Sequence, residues 1–363
     1  MVKNVGILTA DGDSPGLNAA IRAFGKAALG AHGLHVTGFL DGFHGLLTDH
    51  AMQMESDHFS GILTAGGTIL GTSRDQIDDL KPLLDNCERH ALDGLVCLGG
   101  RDTQSLALRL KKAGLPVITL PKSITNHIAK TDHCIGFDSA LTIAAESIDR
   151  LHSTAHSHHR VILVEIMGED SGWLTLGAGI AGGADVILIP EIPYNVDSVA
   201  AAVRERSRKG KRFSLVAVSQ GAISVDDARF FAKARKINED LRDGEEETRV
   251  QGQLMDIENE FTEKTIDLAN RLQTVTKLES RITILGFLQR GGAPTALDRL
   301  MATMLGTTAA QLAANGEFGV MVASQGGKIV SVPLEDVAGI IKTVPLDHPW
   351  LESARAVGTN LGD

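Results

Sequence analysis

The sequence predicts an α/β protein built from mainly parallel sheets flanked by helices, and three observations support this prediction. Several short runs of Val, Ile and Leu are continuously apolar rather than alternating, as in strands that are buried on both faces of a sheet. Helix-like segments separate these runs, which indicates right-handed crossover connections. Glycine is abundant, at 39 of 363 residues, while aromatic residues make up only 4%.

Six apolar runs are predicted as strands, and an Ala-rich helix is predicted to begin at Leu17. In a parallel sheet of this kind, ligands bind at the carboxyl ends of the strands. The loops that follow the predicted strands are therefore where functional residues are expected. The six strands are Val5–Thr9, Leu95–Leu98, Val117–Leu120, Arg160–Glu165, Asp185–Ile189 and Leu215–Val218.

Composition and charge exclude several classes of function. The formal net charge is −10, with 35 basic and 45 acidic residues, so a general nucleic-acid or anionic-membrane surface is not expected. No apolar run reaches the roughly 18 residues that a membrane span requires. Met1–Asn4 leads directly into a strand, without the pattern of a signal peptide. Cys87, Cys97 and Cys134 are too few and too scattered for a disulfide framework, which indicates reduced thiols and a cytoplasmic location.

The segment from about 226 to 279 is polar and rich in charge, and it contains the acidic run Gly244–Glu247. This composition predicts a helical surface insertion rather than part of the core. The acidic run fits either a solvated face or a docking surface, and the sequence leaves both interpretations open.

Four turns carry glycines together with basic or hydroxyl side chains, and a fifth turn carries a lysine and hydroxyl side chains without glycine. A Gly-rich turn from a strand into a helix presents backbone N–H groups to phosphate. One such turn alone is weak support for phosphate binding. The turns are Leu8–Arg22, Leu70–Arg74, Leu98–Thr103, Pro121–His127 and Leu285–Gly292.

Taken in order, these turns resemble the 6-phosphofructokinases. The first is similar to that family's G-G-D-x-x-G-x-N, the fourth to P-K-T-I-D-N-D and the fifth to L-G-x-x-Q-R-G-G. Further matching blocks are Ser157–Arg160, Val164–Gly168 and Ala181–Ala184. The resemblance runs from about residue 2 to 344. It implies a two-lobed fold, with fructose 6-phosphate between the lobes and dimers or tetramers that share residues across sugar sites.

The resemblance also implies lobe boundaries and a position within the family. Residues 1–137 plus about 284–305 would form the donor-phosphate lobe. Residues 138–283 plus about 306–345 would form the sugar-phosphate lobe, with 226–279 as the insertion. Lys122 and the stretch Gly99–Thr103 are similar to the pyrophosphate-type or mixed-donor branch of the family. ATP-type enzymes usually have glycine at the position of Lys122.

Candidate site residues follow from the resemblance, motif by motif. The family's catalytic positions correspond to Thr125, Asp102 and Arg74. The donor-phosphate positions are Asp11, Gly12, Asp13, Arg74, Gly100, Arg101, Asp102, Thr103 and Lys122. The sugar-phosphate positions are Ser123, Thr125, Arg160, Met167, Gly168, Gln220, Arg281, Phe287 and Arg290.

Several substitutions fall at positions where the resemblance implies a general base, a metal ligand or a phosphate contact. Thr125 stands where the family has its general base, and a threonine hydroxyl alone is too weak a base for that role. His127 replaces the second Asp of the same motif. Arg101 replaces the acidic metal-binding residue, and a guanidinium cannot ligate Mg²⁺. Asp11 replaces the first glycine of G-G-D, where a carboxylate would repel a donor phosphate, and we expect Asp11 to pair with Arg101.

The sugar side is mixed. Phe287, Gln220 and Glu169 replace the family's His, Glu and Arg at their motif positions. Three arginines remain, and guanidinium groups suit a phosphate dianion through paired hydrogen bonds. We expect these arginines to converge near a subunit interface. They are Arg160, Arg281 and Arg290.

Two functions are therefore weighed. The first is an inactive or very weak paralogue that binds a sugar phosphate or other phosphate anion and has a regulatory role. The alternative is an active 6-phosphofructokinase, or a related sugar-phosphate kinase, with a rearranged catalytic set. No cofactor is expected for the first, and Mg²⁺ with Asp102 as a ligand is expected for the second. The expected partners are further copies of the chain or an active homologue, with no nucleic acid and no membrane.

Overall fold

A computed structural model of the protein describes residues 3–229 and 264–363. The chain divides into two compact units. The first unit consists of Met1–Thr142 and Phe287–Lys342, and the second consists of Ile143–Gly286 and Thr343–Asp363. Within the described ranges, every helix is too short or too polar to span a lipid bilayer.

The strands and helices are numbered along the chain. The strands are β1 Asn4–Thr9, β2 His35–Phe39, β3 Ala51–Met54, β4 Gly94–Gly99, β5 Val117–Pro121, β6 Val161–Ile166, β7 Val186–Leu188, β8 Ser214–Ser219, β9 Ser280–Ile284, β10 Val320–Gln325 and β11 Lys328–Pro333. The α-helices are α1 Leu17–Lys26, α2 Phe43–Thr48, α3 Lys81–Arg89, α4 Arg101–Lys112, α5 Phe137–His158, α6 Trp173–Ala181, α7 Val196–Arg208, α8 Lys264–Thr276, α9 Ala296–Asn315 and α10 Pro349–Ala356.

The first unit contains a seven-stranded sheet in the order β11-β10-β5-β4-β1-β2-β3. The five strands from β10 to β2 pair in parallel, and the outer strands β11 and β3 pair antiparallel to their neighbours. Successive residues of β4 enter different cores, since Val96 and Leu98 pack on one face of the sheet and Leu95 and Cys97 on the other. Burial on both faces explains the continuous apolar run.

The second unit contains a four-stranded parallel sheet in the order β7-β8-β6-β9. Its apolar core joins strand residues such as Val161 and Val216 to the helix residues Val203 and Leu272. The predicted fold class, an α/β protein with mainly parallel sheets flanked by helices, is confirmed. The six predicted strands correspond to β1, β4, β5, β6, β7 and β8, with ends that differ by at most one residue.

The lobe boundaries differ from the prediction in one large segment. The first division falls at residue 142 instead of 137. Residues 306–342 belong to the first unit, although the prediction placed 306–345 in the second lobe. The reason is that α9 continues without a break across residues 305 and 306, and β10 pairs in parallel with β5.

The predicted polar insertion is also shorter than expected where it can be described. Residues 230–263, including the acidic run, lie outside the described residues. Residues 264–276 form α8, whose Leu268 and Leu272 are buried in the core of the second unit. One face of this helix therefore belongs to the core, while Ile266 and Val275 remain exposed.

The three cysteines are free and buried. Burial raises the pKa of Cys87 to about 12 and that of Cys134 to about 11. Burial also raises the pKa of Cys97. These thiols are therefore packing residues, since the thiolate is the reactive form.

Candidate functional site

Three neighbouring strands of the first sheet carry predicted phosphate turns at their carboxyl ends. β1, β4 and β5 are adjacent and parallel, so their ends lie along one edge of the sheet. The β1 strand leads into turn 10–16, Gly100 alone separates β4 from α4, and β5 leads into Lys122. The turn at Leu70–Arg74 joins them, because the backbone N–H of Asp11 donates to the carbonyl of Ser73 across 3.0 Å.

Asp11 sits at the N-terminus of α4. Its Oδ2 accepts hydrogen bonds from the backbone N–H of Gly100 at 2.8 Å, from the N–H of Thr103 at 2.9 Å and from Thr103 Oγ1 at 2.6 Å. The cap residue of this helix is a glycine without a side chain, so Asp11 caps the helix from another turn. The positive end of the helix dipole accommodates the charge, and the expected pair with Arg101 is not needed to explain it.

The predicted metal position carries Arg101 and Asp102. Arg101 Nε lies 3.7 Å from Asp102 Oδ1, and the Asp102 side chain is 82% exposed. Mg²⁺ is usually held by one or two carboxylates plus substrate phosphates. Within 3–229 and 264–363, no three His, Cys, Asp or Glu side chains are grouped to hold a metal. Asp102 is a carboxylate at this position that could hold Mg²⁺ together with substrate phosphates, with the Arg101 guanidinium beside it.

Lys122 is a buried cation beneath the first turn. Its Nζ donates to the backbone carbonyl of Asp11 across 2.7 Å, and its side chain is almost fully enclosed. The pKa of Lys122 is lowered to about 8, chiefly by burial, and the nearby charges of Arg290 and Arg74 act in the same direction. The carboxylates of Asp11 and Asp13 act in the opposite direction. The structure therefore places Asp13 near this lysine as well.

Gly12 lies beneath two guanidinium groups. A Cβ atom built on Gly12 would lie 3.1 Å from Arg290 Nη1 and 3.3 Å from Arg74 Nη2. The backbone of Gly12 is in the left-handed region, at φ +86°, and its N–H donates to Thr72 Oγ1. Arg290, which the sequence analysis assigned to the sugar phosphate, thus lies within the donor-phosphate set. Its Cζ also stacks 5.4 Å from the ring centre of the exposed Phe287.

Ser123, Thr125 and His127 form a cluster at the turn where the resemblance implies a general base. Thr125 Oγ1 lies 2.6 Å from His127 Nδ1, and Ser123 Oγ lies 3.1 Å from the same nitrogen. Asn126 fixes the turn between them. Its backbone is left-handed, at φ +55°, and its side-chain oxygen accepts from the N–H of Cys134. His127 was expected only as the replacement of a carboxylate, although its spacing of two residues from Thr125 signals this contact.

The second unit holds the other five predicted sugar-phosphate residues. Arg160 Nε donates to Glu279 Oε2 across 2.6 Å, and Arg281 pairs with the other carboxylate oxygen. The hydrogen bond from Arg160 lowers the pKa of Glu279. Arg160 precedes β6, and Arg281 lies opposite Ile162 near the start of β9. Both arginines are therefore at the amino edge of this sheet.

Met167, Gly168 and Gln220 lie at the opposite edge, directly after β6 and β8. Gly168 has φ +151°, and an added Cβ would lie 2.7 Å from the Ser171 carbonyl oxygen. About six residues of strand, or roughly 20 Å, separate this edge from Arg160. Within the second unit, the structure does not bring the five predicted residues into one site.

The first unit is thus an α/β unit whose cations and helix N-terminus gather at the ends of parallel strands. This arrangement is typical of proteins that handle phosphorylated ligands. The chain belongs to the phosphofructokinase family, since the family model described as Phosphofructokinase matches residues 4–313. The predicted resemblance to the 6-phosphofructokinases is confirmed.

Relatives of this chain are named for two different phosphate donors, ATP and pyrophosphate. A protein of Propionibacterium freudenreichii subsp. shermanii named ATP-dependent 6-phosphofructokinase is 52% identical over 373 aligned positions, which cover 100% of both chains. A protein of Amycolatopsis mediterranei named pyrophosphate–fructose 6-phosphate 1-phosphotransferase is 40% identical, covering 95% of this chain and 97% of its own. A solved pyrophosphate-dependent phosphofructokinase from Marinobacter aquaeolei shares the fold, with TM-score 0.78 and 21% identity over 99% of this chain and 88% of that one.

Proposed function

We propose that the chain is a phosphofructokinase-type phosphotransferase with a rearranged catalytic set, acting on fructose 6-phosphate or a related sugar phosphate. The observation that carries this proposal is the 2.6 Å contact between Thr125 Oγ1 and His127 Nδ1. Imidazole is the commonest general base in enzymes, so the pair supplies what threonine alone lacks. The names of the relatives also favour a working enzyme over an inactive paralogue.

The proton moves through the Thr125–His127 pair. A sugar hydroxyl that reaches Thr125 passes its proton to Oγ1 while the threonine proton moves to Nδ1 of His127. The sugar oxygen forms a bond to the donor phosphorus, and the bond from that phosphorus to the leaving oxygen breaks. The leaving oxygen keeps the electron pair, and His127 ends with one additional proton. Ser123 helps to hold the imidazole in place.

The charge of the moving phosphoryl group is stabilised by the cations around Gly12. Fixed positive groups aimed at developing charge are the largest contribution in many phosphoryl-transfer sites. Arg74 and Arg290 approach Gly12 from one side, and Lys122 lies beneath the turn. These three side chains therefore take the electrostatic role that the family resemblance assigns to the donor loops.

The sugar site requires more than one copy of the chain. Arg160 and Arg281 lie at one edge of the second sheet, and Met167, Gly168 and Gln220 lie at the other. One small sugar phosphate cannot reach both sets in the same unit. We therefore propose a homo-oligomer, a dimer or tetramer, in which a neighbouring copy or an active homologue supplies the arginines. We expect this assembly to act in the cytoplasm.

A second candidate function is a family member that binds phosphate ligands without turnover. The observation that favours it is the Asp11 carboxylate at the N-terminus of α4, where it competes with any donor phosphate. This candidate keeps the sugar and phosphate contacts but needs no proton transfer. It predicts that substitutions of His127 have no catalytic effect to measure.

A coupled assay for the phosphorylated product separates the two candidates. Fructose 6-phosphate and Mg²⁺ are supplied with ATP, with pyrophosphate or with acetyl phosphate, a donor that has one phosphate group. His127→Ala and Thr125→Val should each lower the turnover number about 10²–10⁴-fold. His35→Ala is the matched control, because His35 is exposed at the amino end of β2, the sheet edge away from the site.

The proposal fails if the wild-type chain transfers phosphate from none of the three donors. It fails equally if the His127→Ala variant keeps the wild-type turnover number. Binding of fructose 6-phosphate in a chain without transfer would leave the second candidate in place.

A further inference from the structure

Asp11 adopts a backbone conformation that side chains rarely take. Its φ is +62°, in the left-handed region, directly after the end of β1. Such conformations cost free energy and persist where the surrounding contacts fix them. Here the fixing contacts are the three hydrogen bonds that converge on Oδ2 from Gly100 and Thr103. The conformation therefore serves to bring the carboxylate to this position.

The position that Asp11 fills has the properties of an anion site. Two backbone N–H groups and one hydroxyl point at a single oxygen atom, with distances of 2.6–2.9 Å. Thr103 is 1% exposed, so its donors have no bulk water as an alternative partner. A helix N-terminus that follows a glycine turn after a parallel strand is a general phosphate-binding arrangement. The Asp11 oxygen takes the place that a phosphate oxygen would take.

Two guanidinium groups lie beside this position on the same turn. Arg290 and Arg74 approach the next residue, Gly12, with nitrogens 3.1 and 3.3 Å from the point where a side chain would begin. Lys122 lies beneath both positions, with Nζ bonded to the Asp11 carbonyl. The turn thus has two adjoining positions for negative charge, and the chain's own carboxylate occupies one of them.

We propose that Asp11 is a built-in substitute for one phosphate group of the donor, and that it determines which donors this chain accepts. The position beside Gly12, Arg74 and Arg290 takes a single phosphate group. Pyrophosphate and nucleoside polyphosphates are disfavoured, because their second phosphate would meet the Asp11 carboxylate. This inference rests on the proposed function only in that it treats these turns as phosphate-handling.

Calorimetric titration of the full chain with inorganic phosphate and with pyrophosphate tests the inference. The Asp11→Gly variant should bind pyrophosphate at least tenfold more tightly than wild type, because both the charge and the occupying group are removed. Its affinity for inorganic phosphate should rise less than its affinity for pyrophosphate, because a single phosphate group fills only one of the two positions. The Asp11→Asn variant keeps the size and a hydrogen-bond acceptor but loses the charge, so its gain for pyrophosphate should be smaller.

Asp49→Gly is the matched control. Asp49 has a nearly equal φ, +60°, and its carboxylate caps no helix but pairs with Arg89 and His90 on an exposed surface. This variant should bind pyrophosphate as wild type does. Thermal unfolding of each variant verifies that the chain folds. If Asp11→Gly does not fold, the comparison of Asp11→Asn with wild type still tests the inference.

The inference is overturned if Asp11→Gly and wild type bind pyrophosphate within twofold of each other. Equal gains in Asp11→Gly and Asp11→Asn would overturn the occupancy argument, since loss of charge alone would then suffice. A gain in binding without phosphoryl transfer in any variant would support this inference while removing the proposed function. Transfer from pyrophosphate by wild type, with no tighter pyrophosphate binding in Asp11→Gly, would support the proposed function and overturn this inference.

Discussion

The ammonium group of Lys122 donates to the backbone carbonyl of Asp11, and this 2.7 Å contact joins the turns that follow β5 and β1. Lys122 is buried, and burial is the main cause that lowers its pKa to about 8. A group with that pKa loses its charge just above neutral pH, whereas an exposed lysine keeps it. The phosphate turns of this chain therefore contain a cation whose charge depends on pH in the physiological range.

Anion binding should weaken as the pH rises through about 8. Below that pH Lys122 is protonated and attracts a phosphate, and above it the side chain is neutral and the attraction is lost. Titration of inorganic phosphate at a series of pH values measures the effect. The Lys122→Gln variant should bind more weakly and lose this part of the pH dependence. An unchanged pH profile in Lys122→Gln would assign the dependence to another group.

Substitutions of Arg290 and Arg281 should weaken the binding of two different ligands. Arg290 lies beside Gly12 in the first unit, and Arg281 pairs with Glu279 in the second. Arg290→Ala should weaken inorganic phosphate binding by about 1–3 kcal/mol, the usual size for a lost charged hydrogen bond. Arg281→Ala should instead weaken fructose 6-phosphate binding and leave the phosphate affinity in place. Equal losses for both ligands in both variants would contradict the division into two anion sites.

Gly168→Ala should destabilise the second unit by about 1–3 kcal/mol, because φ is +151° and the added Cβ meets the Ser171 carbonyl and Ser219 Oγ. Weaker binding of fructose 6-phosphate should accompany the loss. Gly210→Ala is the control, since φ is +81° there and nothing lies within 4 Å of an added Cβ. Denaturant unfolding followed by circular dichroism compares the two, and equal losses would argue against the close contacts.

Asp298→Ala should destabilise the first unit by about 2–4 kcal/mol. The buried carboxylate accepts from the N–H groups of Gly136 and Ser139 and from Ser139 Oγ, and its removal leaves these donors without an acceptor. Asp85→Ala removes only an exposed pair with Lys81 and should cost less than about 0.5 kcal/mol. Thermal unfolding of the two variants and wild type measures the difference, and similar melting temperatures would refute the prediction.

The central strands could be predicted because their residues are buried on both faces. Val96 and Leu98 face one core and Leu95 and Cys97 the other, so the whole run is apolar. The outer strands of the first sheet gave no such signal, since residues such as Lys328 in β11 are exposed. The lobe boundary near residue 305 was wrong for a related reason. The strand that fixes this segment in the first unit, β10, pairs with β5, some 200 residues earlier.

The site was predictable as a set of turns but not as a set of contacts. Asp11 was identified from the sequence as a carboxylate at a glycine position. Its role as a hydrogen-bond acceptor depends on the backbone N–H of Gly100, which is 89 residues away in sequence. Thr125 and His127 were judged one position at a time, and neither alone suggests a proton acceptor paired with a hydroxyl. Arg290 was assigned by motif, and the side-chain direction that places it beside Gly12 is decided by tertiary packing.

The side chain at position 11 has a consequence for how this chain can change over generations. Codons for aspartate and glycine differ by one base, and a backbone already at φ +62° accepts glycine without rearrangement. A single point mutation would therefore vacate the end of α4 while leaving every other residue of the turn untouched. Selection for phosphoryl transfer from pyrophosphate should recover the Asp11→Gly change first, ahead of any change in the scaffold.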